Sequence, residues 1–233
     1  MDSVSGVGVL DKSVVILTAI AERGPCTLGD LVAATDISRP TAHRLASALE
    51  CHGLVGRDAG GRFRLGPRWL TWGARARAGM ELVDGAQPVL DALRDATDES
   101  AQLFVREADR RVCVAASERP SGLRDTVPVG AILPMNAGSA AKVLRAWDTE
   151  GTRGDAGAAE LATVRRRGWA ASVGEREAGV ASVSAPVLDS SGRVVGAVSV
   201  SGPIGRLGRQ PGRRYSKPVL AAARRLERAA GLQ

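Results

Sequence analysis

The chain is short of the side chains on which most catalytic and metal centres depend. Only two histidines occur in 233 residues, His43 and His52. From Gly53 to Gln233 no Ser-His-Asp, Cys-His or histidine-based metal site can therefore be assembled. Carboxylates such as Asp98, Glu99, Glu175 and Glu177 could serve as acid and base, but neighbouring charges at loop edges read as solvated. The expectation is a protein with no catalytic residue, no metal and no cofactor. Three cysteines, Cys26, Cys51 and Cys113, are an odd number without repeated spacing, which argues against a disulfide framework and a Cys-rich zinc site. They read as buried free thiols. No uncharged run reaches the ~18 residues of a membrane span. The longest, Thr126 to Ala141, is broken by Pro128 and Pro134. Asp2, Asp11, Lys12, Glu22 and Arg23 interrupt any apolar leader, so a cytoplasmic protein without a membrane partner is expected. Lysine is scarce too: 29 of the 32 basic residues are arginine.

The net charge of +7 is spread along the chain. Residues 1–78 hold ten Lys or Arg against seven Asp or Glu, and the remainder holds 22 against 18. Bulk charge is thus weak support for a nucleic-acid partner, and the placement of individual arginines decides.

That placement is informative between Leu28 and Leu65. Leu28, Leu31 and Val32 recur at helical spacing, and Ala42, Leu45 and Leu49 continue such a stripe after a turn at Thr35-Asp36. Ser38 is positioned to accept a backbone N–H as N-cap, and Pro40 suits a first helical turn, where its missing N–H has no partner to lose. Asp tolerates left-handed geometry, so the turn survives without the usual glycine. Val55–Arg57 and Arg62–Leu65 can pair across Asp58-Ala59-Gly60-Gly61 as a hairpin. Helix, turn, helix and hairpin in this order make a winged helix-turn-helix. Ser38, Arg39, Pro40, Thr41, His43 and Arg44 then lie at the start of a helix able to enter a major groove, with Arg57, Arg62 and Arg64 on the wing. A small helical domain whose arginines merely solvate its surface is the alternative.

Before this unit, Leu10, Val14, Leu17 and Ala21 share one face of a helix expected to pack it. After it, Pro67 to Met80 reads as a connecting helix. The expected division is 1–66 DNA-binding domain, 67–80 linker helix and 81–233 second domain. In the last, helical stretches at Leu82–Leu93, Asn136–Trp147, Ala159–Gly168 and Tyr215–Ala230 alternate irregularly with strand-like runs. Those runs are Ser100–Val105, Arg111–Ala116, Arg124–Val129, Ala181–Leu188 and Val194–Ser201, which gives an α+β domain around an antiparallel sheet. Ser182 and Ser184, then Ser199 and Ser201, stand two apart on the last two strands, so each pair faces one way and Val183, Val198 and Val200 face the other. The hydroxylated face either lines a cavity suited to a small polar metabolite such as an amino or keto acid, or is the solvent side of a half-buried sheet. The basic stretch Arg206–Arg228 reads as a solvated helix face over Val219, Leu220, Ala223 and Leu226, or as a second DNA contact.

Nearly the whole chain resembles the IclR family of bacterial transcription regulators. The matching segments are GVGVLDKSVVIL from Gly6, SRPTAHRLASALE from Ser38, GRFRLGPR from Gly61, RRRGWA from Arg165 and VGAVSVSGPIGRL from Val195. DESAQLFVRE, LRDTVPVG and GEREAGVASVSAPV resemble the NdgR-like branch, tied to amino-acid (leucine) biosynthesis. The resemblance implies a GAF-like effector domain after the winged helix and a regulator, not an enzyme, working as a homodimer or a tetramer on a pseudo-palindromic double-stranded DNA operator. It also implies a small-molecule pocket drawing on Ser139, Ala140, Ser172, Ser182, Ser199 and Ser201, with the helix N-terminus at Ser139 favouring a carboxylate. The segment between Trp147 and Arg165 is shorter than its family counterpart, which bears on effector sensing.

Overall fold

A computed structural model describes residues 5–78, 80–148 and 157–232. Residues 149–156 of the shortened segment lie outside the described residues. The chain divides into two compact units, 1–79 and 80–233.

The first unit holds α1 (Gly8–Arg23), α2 (Leu28–Thr35), α3 (Arg39–Cys51), the antiparallel hairpin β1 (Val55–Arg57) and β2 (Phe63–Leu65), and α4 (Arg68–Ala78). Thr27 and Asp30 form a reciprocal capping box that starts α2, a T-x-x-D signal that satisfies two otherwise free N–H groups. Asp36 closes α2 in the left-handed region at φ 53°. Ile16, Ile20, Leu31, Ala42, Leu45, Ala46, Leu49, Val55 and Phe63 fill the core between the helices and the wing.

Two expectations change here. Helix α1 buries Ile16, Ala19 and Ile20, whereas Leu10 and Val14 are about half exposed. The helix carries two apolar stripes, and the one with the β-branched bulk of Ile16 and Ile20 fills the core. Ser38 makes no side-chain cap bond; its hydroxyl donates to Thr41 Oγ1 at 3.1 Å. Pro40 supplies no N–H at one of the two positions an N-cap oxygen reaches, so the hydroxyl turns to the neighbouring threonine.

The second unit is α+β. It runs α5 (Glu81–Asp84), α6 (Ala86–Thr97), β3 (Ser100–Glu107), β4 (Arg110–Ser117), β5 (Ile132–Pro134), α7 (Ser139–Ala146), α8 (Ala158–Arg167), β6 (Ala170–Val173), β7 (Val180–Leu188), β8 (Val194–Pro203), α9 (Ile204–Leu207) and α10 (Gly212–Ala229). The sheet order is β5-β4-β3-β8-β7-β6, antiparallel throughout. One sheet face, with Leu103, Val183, Val198 and Val200, packs under α6 and α10 through Leu90, Leu93, Val219, Ala223 and Leu226. The other, with Phe104, Cys113 and Ala197, packs under α7 and α8 through Val143, Leu144, Leu161 and Val164. Arg124–Val129 forms no strand; Pro128 cannot donate to a ladder, and the edge falls to Ile132–Pro134 instead. Strand β6, only four residues long, was not anticipated.

Of the three thiols, Cys26 and Cys113 are buried but Cys51 is exposed. Cys51 lies two residues beyond the buried Leu49, which on a helix is the opposite face. Burial pushes the Cys113 thiol up to about 12.

Candidate effector cavity and DNA-reading helix

The period-two geometry of four neighbouring strands stacks hydroxyls into cross-strand rows. Ser172 on β6 opposes Ser182 on β7, which opposes Ser201 on β8, which opposes Ser100 on β3. The next row is Ser184, Ser199 and Gln102. Helix α7 comes down on these rows with its first residue. Ser139 Oγ donates to Ser182 Oγ at 2.7 Å and lies 2.7 Å from Ser184 Oγ. Ser184 and Ser199 hydroxyls bond each other, and Ser201 donates to Gln102 Oε1 at 3.1 Å. The serine face is therefore interior: Ser139, Ser172, Ser184, Ser199 and Ser201 are all buried.

Beside these bonds lies a cavity of about 30 Å³, room for about two waters. Ser139, Ala140, Ser172, Ser182, Ser199 and Ser201 all line it, as do Gln102, Phe104, Arg111, Asp125 and Arg176. The last five went unnoticed in the sequence. Gln102 and Phe104 stand in phase with Ser100 on β3, a signal that was present. Arg176 donates through Nη2 to both oxygens of the buried Asp125, at 2.7 and 2.8 Å. Arg111 is 2% exposed. It donates through Nη1 to the Pro134 carbonyl, and its guanidinium carbon lies 5.6 Å from the Phe104 ring centre. Its buried Nε has no partner. Burial, and secondarily the nearby Arg176, lower its pKa to about 10, which leaves it a cation near neutral pH. Helix α7 begins after Gly138 (φ 95°) without a side-chain cap, so its first N–H groups point at the same region.

On the first unit, Arg39, Pro40, His43 and Arg44 are exposed along one face of α3, with Ser38 exposed just before it. The side chains of Arg39, His43 and Arg44 have no hydrogen-bond or ion-pair partner among the described residues. The wing arginines differ. Arg57 pairs with Glu50 at 3.1 Å, donates to the Gly61 carbonyl and lies over the Phe63 ring at 4.2 Å. Arg62 pairs with Asp58 at 2.8 Å. Arg64 donates to the Arg57 and Leu65 carbonyls and is exposed.

Residues 9–59 match the IclR helix-turn-helix domain, and residues 74–156 and 152–228 match the bacterial transcriptional regulator IclR C-terminal domain. The chain belongs to the IclR family. The glycerol operon regulatory protein of Streptomyces griseus is 33% identical over 198 residues, covering 77% of this chain and 78% of that one. An IclR homologue from Microbacterium hydrocarbonoxydans, solved with 4-hydroxybenzoate, superposes with a TM-score of 0.82 at 22% identity. That match covers 97% of this chain and 100% of the other. A transcriptional regulator from Rhodococcus sp. RHA1 superposes at 0.78 with 27% identity over 97% and 98% of the two chains. The IclR chain is thus a DNA-binding transcription regulator with an effector-binding domain, not an enzyme.

Proposed function

We propose that this regulator binds a pseudo-palindromic operator as a homodimer, or as a pair of dimers, and answers to a small acid of amino-acid metabolism held in the hydroxyl-lined cavity. The observation that carries the reading is the convergence of Ser139 and Ala140 from α7, Ser172 from β6, Ser182 from β7 and Ser199 and Ser201 from β8 on one partly open cavity. Hydroxyls that both donate and accept suit a compact oxygen-rich ligand. The 4-hydroxybenzoate of the Microbacterium relative is likewise a carboxylate. The leucine-biosynthesis assignment rests on the segments DESAQLFVRE, LRDTVPVG and GEREAGVASVSAPV.

Arg39, Thr41, His43 and Arg44, flanked by Ser38 and Pro40, are the groups assigned to base and phosphate contact. Arg62 and Arg64 are assigned to the DNA backbone, while Arg57 braces the wing against Glu50 and Phe63. Self-association is supported by the exposed apolar stripe of Val7, Leu10 and Val14. Such a regulator works in the bacterial cytoplasm, where its operator is. Ligand binding would shift the placement of the two reading heads only through differential affinity for their arrangements.

The narrowness of the cavity favours one second reading, a winged-helix interaction protein that has lost small-molecule sensing. Fluorescence anisotropy on the chain's own upstream intergenic DNA against a scrambled duplex, near physiological salt, separates the two. Each titration is run with and without branched-chain amino acids and their 2-oxo acids. Specific binding changed by one of these compounds supports the proposal, specific binding unchanged by any points to lost sensing, and no preference over scrambled DNA removes the operator role.

A further inference from the structure

Helix α10 keeps its charges unpaired. The stretch 206–228 holds eight basic residues and one acid, Glu227. Among the described residues its sole ion pair joins Arg206, before the helix, to Glu99 at 2.6 Å. The Glu227 carboxylate accepts the Leu188 N–H at 3.0 Å. On α10, Tyr215, Val219, Ala222, Ala223 and Leu226 are buried, and with 3.6 residues per turn they fix which side faces outward. Arg213, Arg214, Lys217, Arg224, Arg225 and Arg228 fall on that outer side within an arc of about 120°, and all six are exposed. Ala221 is the one uncharged residue inside the arc.

This pattern works against the helix. Arg213 and Lys217, like Arg224 and Arg228, are equal charges four residues apart, which repel. Arg213, Arg214 and Lys217 crowd the N-terminal turns with no acid in the first turn, where the helix dipole disfavours cations. Helix α6 of the same unit does the opposite: Arg94 pairs with Asp91 at 3.2 Å and with Asp95 at 2.8 Å. The chain's preference for arginine accounts for Arg in place of Lys, but not for the missing acids. Two local rules broken on one helix mark a functional surface rather than a structural one.

We propose that the outer face of α10 binds the phosphates of duplex DNA, a second DNA contact separate from the reading helix α3. Arg213 to Arg228 spans about 22 Å at 1.5 Å per residue, over which one strand of a duplex presents about six phosphates. Arg213 also borders, with Arg167 and Arg209, an open groove beside β6, so the positive surface continues past the start of the helix. The composition of the stripe selects the partner. It holds no aromatic or large apolar side chain, which a protein interface uses as an anchor and a single strand as a stacking platform. Insertion into a lipid surface needs an apolar helix face, and that of α10 is buried against the sheet. What is left is attraction to a regular array of phosphates. The contact therefore adds affinity for duplex without adding base preference.

Fluorescence anisotropy of the full chain on a random-sequence duplex of about 40 base pairs, between about 50 and 200 mM salt, tests this. The quadruple variant Arg213→Gln, Lys217→Gln, Arg224→Gln and Arg228→Gln is compared with a charge-matched control, Arg106→Gln, Arg110→Gln, Arg124→Gln and Arg193→Gln, whose residues are exposed elsewhere on the same unit. With one phosphate per cation, the slope of log K against log salt is expected to flatten by about 0.9 for each α10 residue removed, and low-salt affinity to fall by about tenfold or more. The control should keep the wild-type slope. The α10 variant is expected to melt at or above the wild-type temperature, since like-charge repulsion has gone. The double variant Arg224→Gln with Arg228→Gln carries the same test at half the slope change, so a folding defect in the quadruple variant does not remove the answer. An unchanged slope in the folded α10 variants, an equal flattening in the control, or no salt-sensitive binding by the wild type overturns the proposal. So does unchanged duplex binding together with lost pelleting on phosphatidylserine vesicles, which assigns the stripe to a membrane surface. The random duplex contains no operator, so neither the operator nor the effector reading enters the outcome.

Discussion

Arg176 reaches across 51 positions of sequence to hold both carboxylate oxygens of Asp125 with one nitrogen, at 2.7 and 2.8 Å. The pair ties the loop after β6 to the irregular stretch before β5 and closes one side of the cavity. Asp125→Asn would leave Arg176 beside Arg111 with only the exposed Glu177, at 3.5 Å, as its counter-ion. The expected cost is about 3 kcal/mol, the low end for breaking a buried pair, because Arg176 retains some contact with water. Urea unfolding of the variant against the wild type checks this, and an unchanged midpoint would show that the pair contributes nothing.

Arg44 projects from α3 without an internal partner, so its whole donor set is available to DNA. Arg44→Ala is expected to weaken specific operator binding by about 1–3 kcal/mol if the guanidinium pairs bidentately with guanine. Arg57→Ala should change affinity far less, because that side chain is already committed to Glu50 and Gly61. Anisotropy titrations at one fixed salt concentration compare the two, and equal losses would remove the distinction.

Ala108 turns the hairpin between β3 and β4 with φ 51°, a left-handed conformation that costs a residue with a Cβ about 1–2 kcal/mol. Glycine relieves that strain but loses about 0.4–1 kcal/mol through its freer unfolded chain. Ala108→Gly should therefore be stabilising by a net margin on the order of 0.5 kcal/mol, readable as a raised denaturant midpoint. A lowered midpoint would mean that the turn is relaxed with alanine in place.

Asp189 organises the turn between β7 and β8. Its carboxylate accepts from the Ser191 hydroxyl and from the Ser191 and Arg193 backbone N–H groups. These bonds, with the Ser191 hydroxyl first among them, lower its pKa from 3.8 to about 2. A depressed carboxyl contributes stability that is present above its unfolded value, near pH 4, and is lost as pH falls through about 2. Carboxyl NMR titration should show Asp189 ionised at pH 3, and Asp189→Asn should remove its share of the acid sensitivity. A midpoint near 4 would show that the turn does not hold the anion.

Much of this architecture was readable in the sequence because it repeats with the period of its element. The serines of β7 and β8 declared a common face through their two-residue spacing, and the wing declared itself through Gly60-Gly61 between the short segments Val55–Arg57 and Arg62–Leu65. Arg111 was not legible for a physical reason. It stands beside Arg110 in a strand where Val112 and Val114 are as apolar as Cys113 and Ala115, so periodicity cannot say which arginine turns inward; the register of the β3–β4 hairpin decides. The packing face of α1 was misassigned for a similar reason, since both of its stripes are apolar and only the shape of the core selects between them. Strands β5 and β6, three and four residues long, are too short to carry a period at all.

Strand β8 serves two masters in alternate residues. Ser199 and Ser201 face the cavity while Val198 and Val200 are sealed in the core under α6 and α10. With the cavity as the proposed effector site, changes at the first pair alter what the protein perceives, and changes at the second alter whether it folds. Along this strand a lineage can therefore acquire a new chemical sense by substitutions that leave the scaffold and its reading head as they were.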